Sequence, residues 1–420
     1  VSFRVFSLLK KEVDKPMAKV FPFSAWLARS DNAARVATLP YDVMNRAEAA
    51  SMAEGNPDSF LRVTRSEIEL PADLSPYDDA VYQKAAENWR KFCGSILKKD
   101  QQASYYVYSL LMHGRRQTGV VAAASVEDYD QEIIRKHERT RKEKEDDRTR
   151  HISTIRAQTG AVFLTYRDSA AIDRIVNESM QSAPLFDFTA SDGISHTGWR
   201  VPAAHTAALQ QAFAQVPLLY IADGHHRAAS ASRTCAALKA KGASIGEADR
   251  FLSVIFPAGQ LRILPYNRVV SDLNGLDEAQ FFDATGKVCN ISAAASPEPA
   301  RSGQVCMFFQ KKWHLLTFRN TAAENPIDQL DVSLLQNQVL APILGIDDPR
   351  TSHRIDFVGG IRGTGELEKR VNAGEAAVAF SMYPTTVEQL MAIADAHAIM
   401  PPKSTWFEPK LRDGLFTHEI

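Results

Sequence analysis

The sequence predicts an α+β fold, and three observations carry that prediction. Apolar, β-prone runs cluster in "ASYYVYSLLMHGRRQTGVVAAAS", "FDFTASDGISHTGWRV" and between residues 240 and 320, where chemistry and length suit strands. A long stretch, "SPYDDAVYQKAAENWRKFCGSILKKD", instead keeps the helical apolar period. The two kinds of segment show neither an internal repeat nor the steady alternation of a βαβ series.

Taken in order, "VSFRVFSLLKKEVDKP" precedes Met17, has too short an apolar run for a secretory segment, and reads as a leader or native extension over residues 1–16. "AKVFPFSAWLARS" and "RVATLPYDV" are extended pieces interrupted by Pro22 and Pro40. Ser75-Pro76 is a suitable opening for the helix that follows, with proline at its first position. Residues 103–125 form two strands around a turn between Gly114 and Gly119, and Asp192-Gly193 turns a second hairpin. "FLSVIFP", "LRILPYNRVV" and "VCMFFQKKWHLLTFR" read as strands of one sheet, with "LDEAQFFDATG" a helix among them.

Composition narrows the functional classes. The chain has 420 residues, enough for one large or two ordinary cores. Its 49 Lys+Arg balance 50 Asp+Glu, so no global basic field marks nucleic acid as a partner. No apolar run is long enough to span a bilayer. Cys93, Cys235, Cys289 and Cys306 lack metal-site or disulfide spacing and suit a reducing cytoplasm.

The stretch "LLYIADGHHRAASASRTCAAL", residues 218–238, carries the most chemistry. An apolar strand ends at Ala222, Asp223-Gly224 is a sharp exit, and an alanine-rich helix begins near His225. Free N–H groups of a first helical turn attract anions, and glycine lets a phosphate come close to the backbone. Arg227 has the fork for phosphate oxygens, and His225 and His226 can donate further hydrogen bonds. The plainer reading is an ordinary turn with Asp223 as helix cap. Zinc held by the adjacent histidines is disfavoured, because neighbours on a helix point about 100° apart.

In "IIRKHERTRKEKEDDRTRHIS", residues 133–153, most of the charge reads as a solvated helix face or a mobile loop. His137 and Glu138 stand apart, emerging directly after buried-looking Ile133-Ile134, where a carboxylate can take or position a proton. Arg135, Lys136 and Arg139 would keep that carboxylate ionised. Tyr41 and Asp42 follow Pro40 as turn formers. Lys403 and Lys410 read as surface loop, with contact to an anionic ligand as the alternative, and "PPKST" is no P-loop because the upstream glycines are missing.

Six ordered blocks, "FPFSAWLARSDNAARVATLPYDV", "NPDSFLRVTRSEIELP", "KHERT", "YIADGHHRAA", "LRILPYNRVV" and "MPPKSTWFEPKLRDGLF", resemble the bacterial family with the Asp-Gly-His-His-Arg signature. That family is similar to the ParB/sulfiredoxin-like superfamily and, within it, to kinases acting on free L-serine. The resemblance implies a nucleotide-binding core over residues 17–240, with insertions, and an additional α+β region over 241–420 packed on it. It implies that Gly224, His225, His226 and Arg227, with His137, cradle the phosphates of ATP or ADP. Asp223 would face Mg²⁺ or the substrate hydroxyl; Glu138 would be the base, with Asp223 and His226 also catalytic, and Tyr41 and Asp42 would meet the substrate.

The implied product is O-phosphoserine, in a cytoplasmic protein with a homodimer among the expectations. The alternative is a nucleotide-binding regulator without phosphotransfer. No basic recognition helix supports DNA binding, and a sulfiredoxin-like redox role lacks its cysteine, since Cys235 lies more than two helical turns beyond the motif.

Overall fold

In a computed structural model, the protein is described over residues 17–323 and 325–420; the expected leader lies outside them. The fold is α+β. A large sheet has nine strands among the described residues, ordered Ile134–Arg135, Leu219–Asp223, Val162–Tyr166, Arg250–Pro257, Arg115–Ser125, Tyr106–Met112, Ser195–Arg200 and Phe186–Thr189, with Val20–Phe21 also pairing with Arg115–Ser125. Most neighbours are antiparallel, but Arg250–Pro257 runs parallel to Val162–Tyr166 and Leu219–Asp223 runs parallel to Ile134–Arg135.

The central hairpin follows from its sequence. Val120 to Ala124 are all buried, giving the continuous apolar run of a strand covered on both faces. The turn is tighter than expected. His113 and Gly114 both have positive φ, at 50° and 77°, as a two-residue hairpin loop requires. Gly119 lies inside the strand instead, where a Cβ would come within 2.8 Å of the Phe256 ring. The Asp192-Gly193 hairpin forms as predicted, with Gly193 at φ 81°.

A second sheet has six strands among the described residues, ordered Cys289–Ala293, Lys312–Phe318, Gln304–Phe309, Val378–Met382, Tyr266–Val270 and Ile355–Gly359. The three segments expected in one sheet are therefore divided. Arg250–Pro257 is buried inside the first sheet, and the chain enters the second only beyond it. Periodicity reports that a strand is buried, not which neighbour buries it. The helix expected from "LDEAQFFDATG" forms over Glu278–Val288 with a capping box from Asp277 and Gln280.

The first long helix starts later than Ser75-Pro76 suggests. Asp78 caps Asp79–Lys91 by accepting the Ala80 N–H at 2.9 Å, while Ser75 accepts from Tyr77 in the preceding turn. Chain ends meet in a small four-stranded sheet ordered Leu97–Lys99, Trp26–Ala28, Phe416–Glu419 and Ala157–Gln158. This brings the segment after Met400 across the first sheet, where the Met400 N–H donates to the His137 carbonyl at 2.8 Å. The four cysteines are free thiols, and among the described residues no helix is long and apolar enough to cross a membrane.

Candidate functional site

Two neighbouring strands build the site. Ile134 pairs with Leu219 and Arg135 with Tyr220 in parallel register. Parallel strands leave a sheet at the same end, so His137-Glu138 emerges beside Asp223-Gly224 although 86 residues separate the two glutamate and glycine positions in the chain. Gly224 turns with φ 95°, a left-handed conformation natural to glycine, and the helix His225–Ala240 starts at once. No side chain caps that helix. Its small residues, Ala228, Ala229, Ser230 and Ala231, are buried, and Ser230 Oγ reaches the Glu145 carbonyl of the neighbouring helix Lys142–Ile155 at 3.2 Å.

The doubled histidine fastens the opposing loop. The His137 N–H points at His225 Nε2 at 3.4 Å, and the Arg141 N–H donates to His226 Nε2 at 3.0 Å. Both rings act as acceptors toward backbone, which requires neutral imidazole. Burial lowers the pKa of each, that of His225 well below the ordinary range. His225 Nδ1 faces Glu138 Oε2 at 3.8 Å.

Glu138 keeps half of its side chain exposed, yet its surroundings raise its pKa, first through lost hydration and then through the Asp223 and Asp42 charges. Lys403 and Arg141 oppose the rise, rather than the neighbours Arg135, Lys136 and Arg139 expected from the sequence. Arg135 turns to His397, and Lys136 lies over the Tyr129 ring.

Asp223 meets cations from two directions. Lys410 Nζ lies 3.0 Å from its Oδ2 and Arg227 Nη2 lies 3.7 Å from its Oδ1. Burial opposes ionisation, but Lys410 and then Arg227 outweigh it and hold the carboxylate well below its ordinary range. These contacts already balance the charge expected to bind Mg²⁺, so Asp223 does not fit a metal ligand. It also does not cap the helix beginning at His225, whose first turn lacks any side-chain cap.

Arg227 is turned inward. Its guanidinium donates to the Ala161 carbonyl, and a Cβ on Gly224 would lie 2.9 Å from its Nε. The space freed by glycine is thus occupied by Arg227 on that side. Asp42 is exposed in the middle of the turn Tyr41–Val43, and its charge acts on Arg227, Lys410 and His226. Tyr41 is buried under the Arg148 guanidinium, 4.2 Å from its ring centre, and burial raises its phenol pKa.

Sequence reasoning missed the inward half of the charged helix. Asp147 accepts from the Tyr82 hydroxyl at 2.9 Å and pairs with Arg148 at 2.8 Å, while the outer face carries the Lys142–Asp146 and Arg233–Glu145 pairs. It also missed Asp413, which is 2% exposed and whose pKa burial pushes up to about 7 against the pull of Arg227. Lys410 is largely buried, not on a surface loop. The only signal for either was the charged run "KLRDG", which gives no hint of a partner nearly two hundred residues earlier.

No curated protein matches the chain. Among solved structures, it is similar to a free serine kinase in complex with AMP, at 12% identity and TM-score 0.35, covering 71% of this chain and 91% of that one. A conserved hypothetical protein from Pyrococcus furiosus matches at 13% identity and TM-score 0.35, covering 72% and 94%. SbnI with C-terminal truncation, from Staphylococcus aureus, matches at 11% identity and TM-score 0.38, covering 70% and 85%. Residues 20–333 match the model of a family described as a protein of unknown function, and with most of its length so matched the chain belongs to that family, DUF1015.

Proposed function

We propose that this protein is a small-molecule kinase that transfers a phosphoryl group from ATP or ADP to the hydroxyl of free L-serine. One observation carries the reading: the parallel strands Ile134–Arg135 and Leu219–Asp223 deliver a carboxylate and an uncapped helix N-terminus to one sheet end. Phosphoryl transfer asks for positioning and charge neutralisation, with a base for the acceptor proton. Each demand has a candidate in the chain's own geometry.

The first-turn N–H groups of His225, His226 and Arg227 receive phosphate oxygens, supported by the helix dipole. Arg141 and Lys403, which act on Glu138 in the free protein, supply further positive charge. Asp42 takes the serine ammonium. Glu138 accepts the hydroxyl proton as the oxygen attacks phosphorus and the nucleotide oxygen leaves. Its raised pKa brings it closer to neutral pH, where a base combines availability with driving force. When bound with the nucleotide, Mg²⁺ would neutralise phosphate charge. His137, buried behind Glu138, supports the loop.

The deciding experiment incubates the full chain with labelled ATP or ADP, Mg²⁺ and L-serine beside a pool of other hydroxylated metabolites. O-phosphoserine formation supports the reading. Tight nucleotide binding with no phosphorylated product would replace it with a nucleotide-dependent regulator.

A further inference from the structure

We propose that His137, His225 and Glu138 form a binding site for one divalent transition-metal ion of the zinc type. Among the described residues, these three bring one potential ligand atom each within 4.8 Å of one another. His137 is 2% exposed and neither of its ring nitrogens has a hydrogen-bond partner. Its ring stands at 90° to that of His225, with centroids 4.4 Å apart. A buried imidazole without partners is uncommon and calls for an unseen ligand. The third member, Glu138, keeps its carboxylate half exposed and gives an ion its route from solvent.

The donor set defines the metal class. Two imidazoles and a carboxylate suit zinc and its neighbours, whereas Mg²⁺ takes oxygen ligands and keeps its waters. Three protein ligands leave a fourth, open position for water, the arrangement of an exchangeable site.

Loading asks for two adjustments. Ligand atoms around tetrahedral zinc lie roughly 3.2–3.6 Å apart, so the widest pair must close by up to about 1.5 Å. His225 must also move its Nδ1 proton to Nε2, giving up the long 3.4 Å contact with the His137 N–H. Both changes fall in the loop carrying His137 and Glu138 and at the first residue of a helix, not within a strand. The site shares Glu138 and His225 with the phosphotransfer reading, and an ion on Glu138 would deny that carboxylate to a proton.

Calorimetric titration of the metal-free full chain with Zn²⁺, without nucleotide, tests the site, with Co²⁺ absorption reporting coordination geometry. One equivalent should bind, Co²⁺ should give a four-coordinate spectrum, and His137→Ala and Glu138→Gln should each weaken binding at least ~10-fold. Because His137 is buried and its variant can fail to fold, the half-exposed Glu138→Gln decides. No stoichiometric uptake by the wild type, or unchanged uptake by Glu138→Gln, overturns the proposal. A chain that binds zinc but phosphorylates nothing upholds the site and removes the kinase; serine phosphorylation without zinc uptake does the reverse.

Discussion

The Lys410 amino group lies 3.0 Å from the Asp223 carboxylate, joining the segment after the second sheet to the strand that opens the candidate site. The lysine is 12% exposed and the aspartate 31%, so removing one partner leaves a poorly hydrated charge. Lys410→Met is expected to destabilise the protein by about 2–4 kcal/mol. Adding Asp223→Asn should recover part of that loss in urea unfolding. Strictly additive effects would assign the contact no coupling.

Gly224→Ala combines two costs: a residue with a side chain at φ 95° and a Cβ within 2.9 Å of Arg227 Nε. A loss of roughly 1–3 kcal/mol is expected, together with weaker nucleotide binding because Arg227 must shift. Thermal unfolding and calorimetry with ADP measure the two effects separately.

Arg227→Ala should act first on stability, since the guanidinium is buried and holds the Ala161 carbonyl. About 3 kcal/mol or more is expected from denaturant unfolding. Unchanged stability with affinity reduced by about 1.5–3 kcal/mol would place the group on the ligand instead.

Glu138→Gln should leave nucleotide binding in place while phosphorylation falls by ~10²–10⁴. In the wild type, turnover should rise with pH as Glu138 loses its proton, along a limb displaced above the ordinary glutamate range. That limb should vanish from the residual activity of the variant. A Gln variant with wild-type turnover moves the base elsewhere.

Asp413 gives a stability prediction with a defined sign. Its pKa rises from 3.8 in the unfolded chain to about 7 in the fold. The folded state therefore binds the extra proton between those values, and the stabilisation is full below the lower one and lost as pH rises through the upper one. Asp413→Asn should flatten this dependence, gaining on the wild type between pH 4 and 7 by at most about 4 kcal/mol. Parallel stability profiles of the two proteins would show that Asp413 does not titrate there.

How much of this was legible in sequence depends on how far each feature reaches along the chain. The strand, glycine and helix of residues 219–240 are local, and they form within one residue of expectation because Ala222, Gly224 and the following alanines each favour the conformation they adopt. Glu138 could be singled out because an apolar pair precedes it. Its true electrostatic neighbours, Asp223 and Lys403, arrive through strand pairing and the late segment, so the nearby arginines misled. The same distance hid the Lys410 contact and the division of the 250–318 strands between two sheets. The inward turn of Arg227 was hidden for another reason: a buried guanidinium and a phosphate-binding one have the same residue in the same motif.

The long reach from Asp223 to Lys410 sets an order of events during protein synthesis. A ribosome that has finished the glycine turn must still translate the whole second sheet before the lysine exists. Until then, the emerging chain carries an aspartate at the turn without its main neutralising partner, and Gly160 lacks the Asp413 carboxylate that later lies against it. Premature termination anywhere in the second sheet would therefore yield a polypeptide with the full glycine-histidine motif and an unfinished centre, so possession of the motif is no measure of competence.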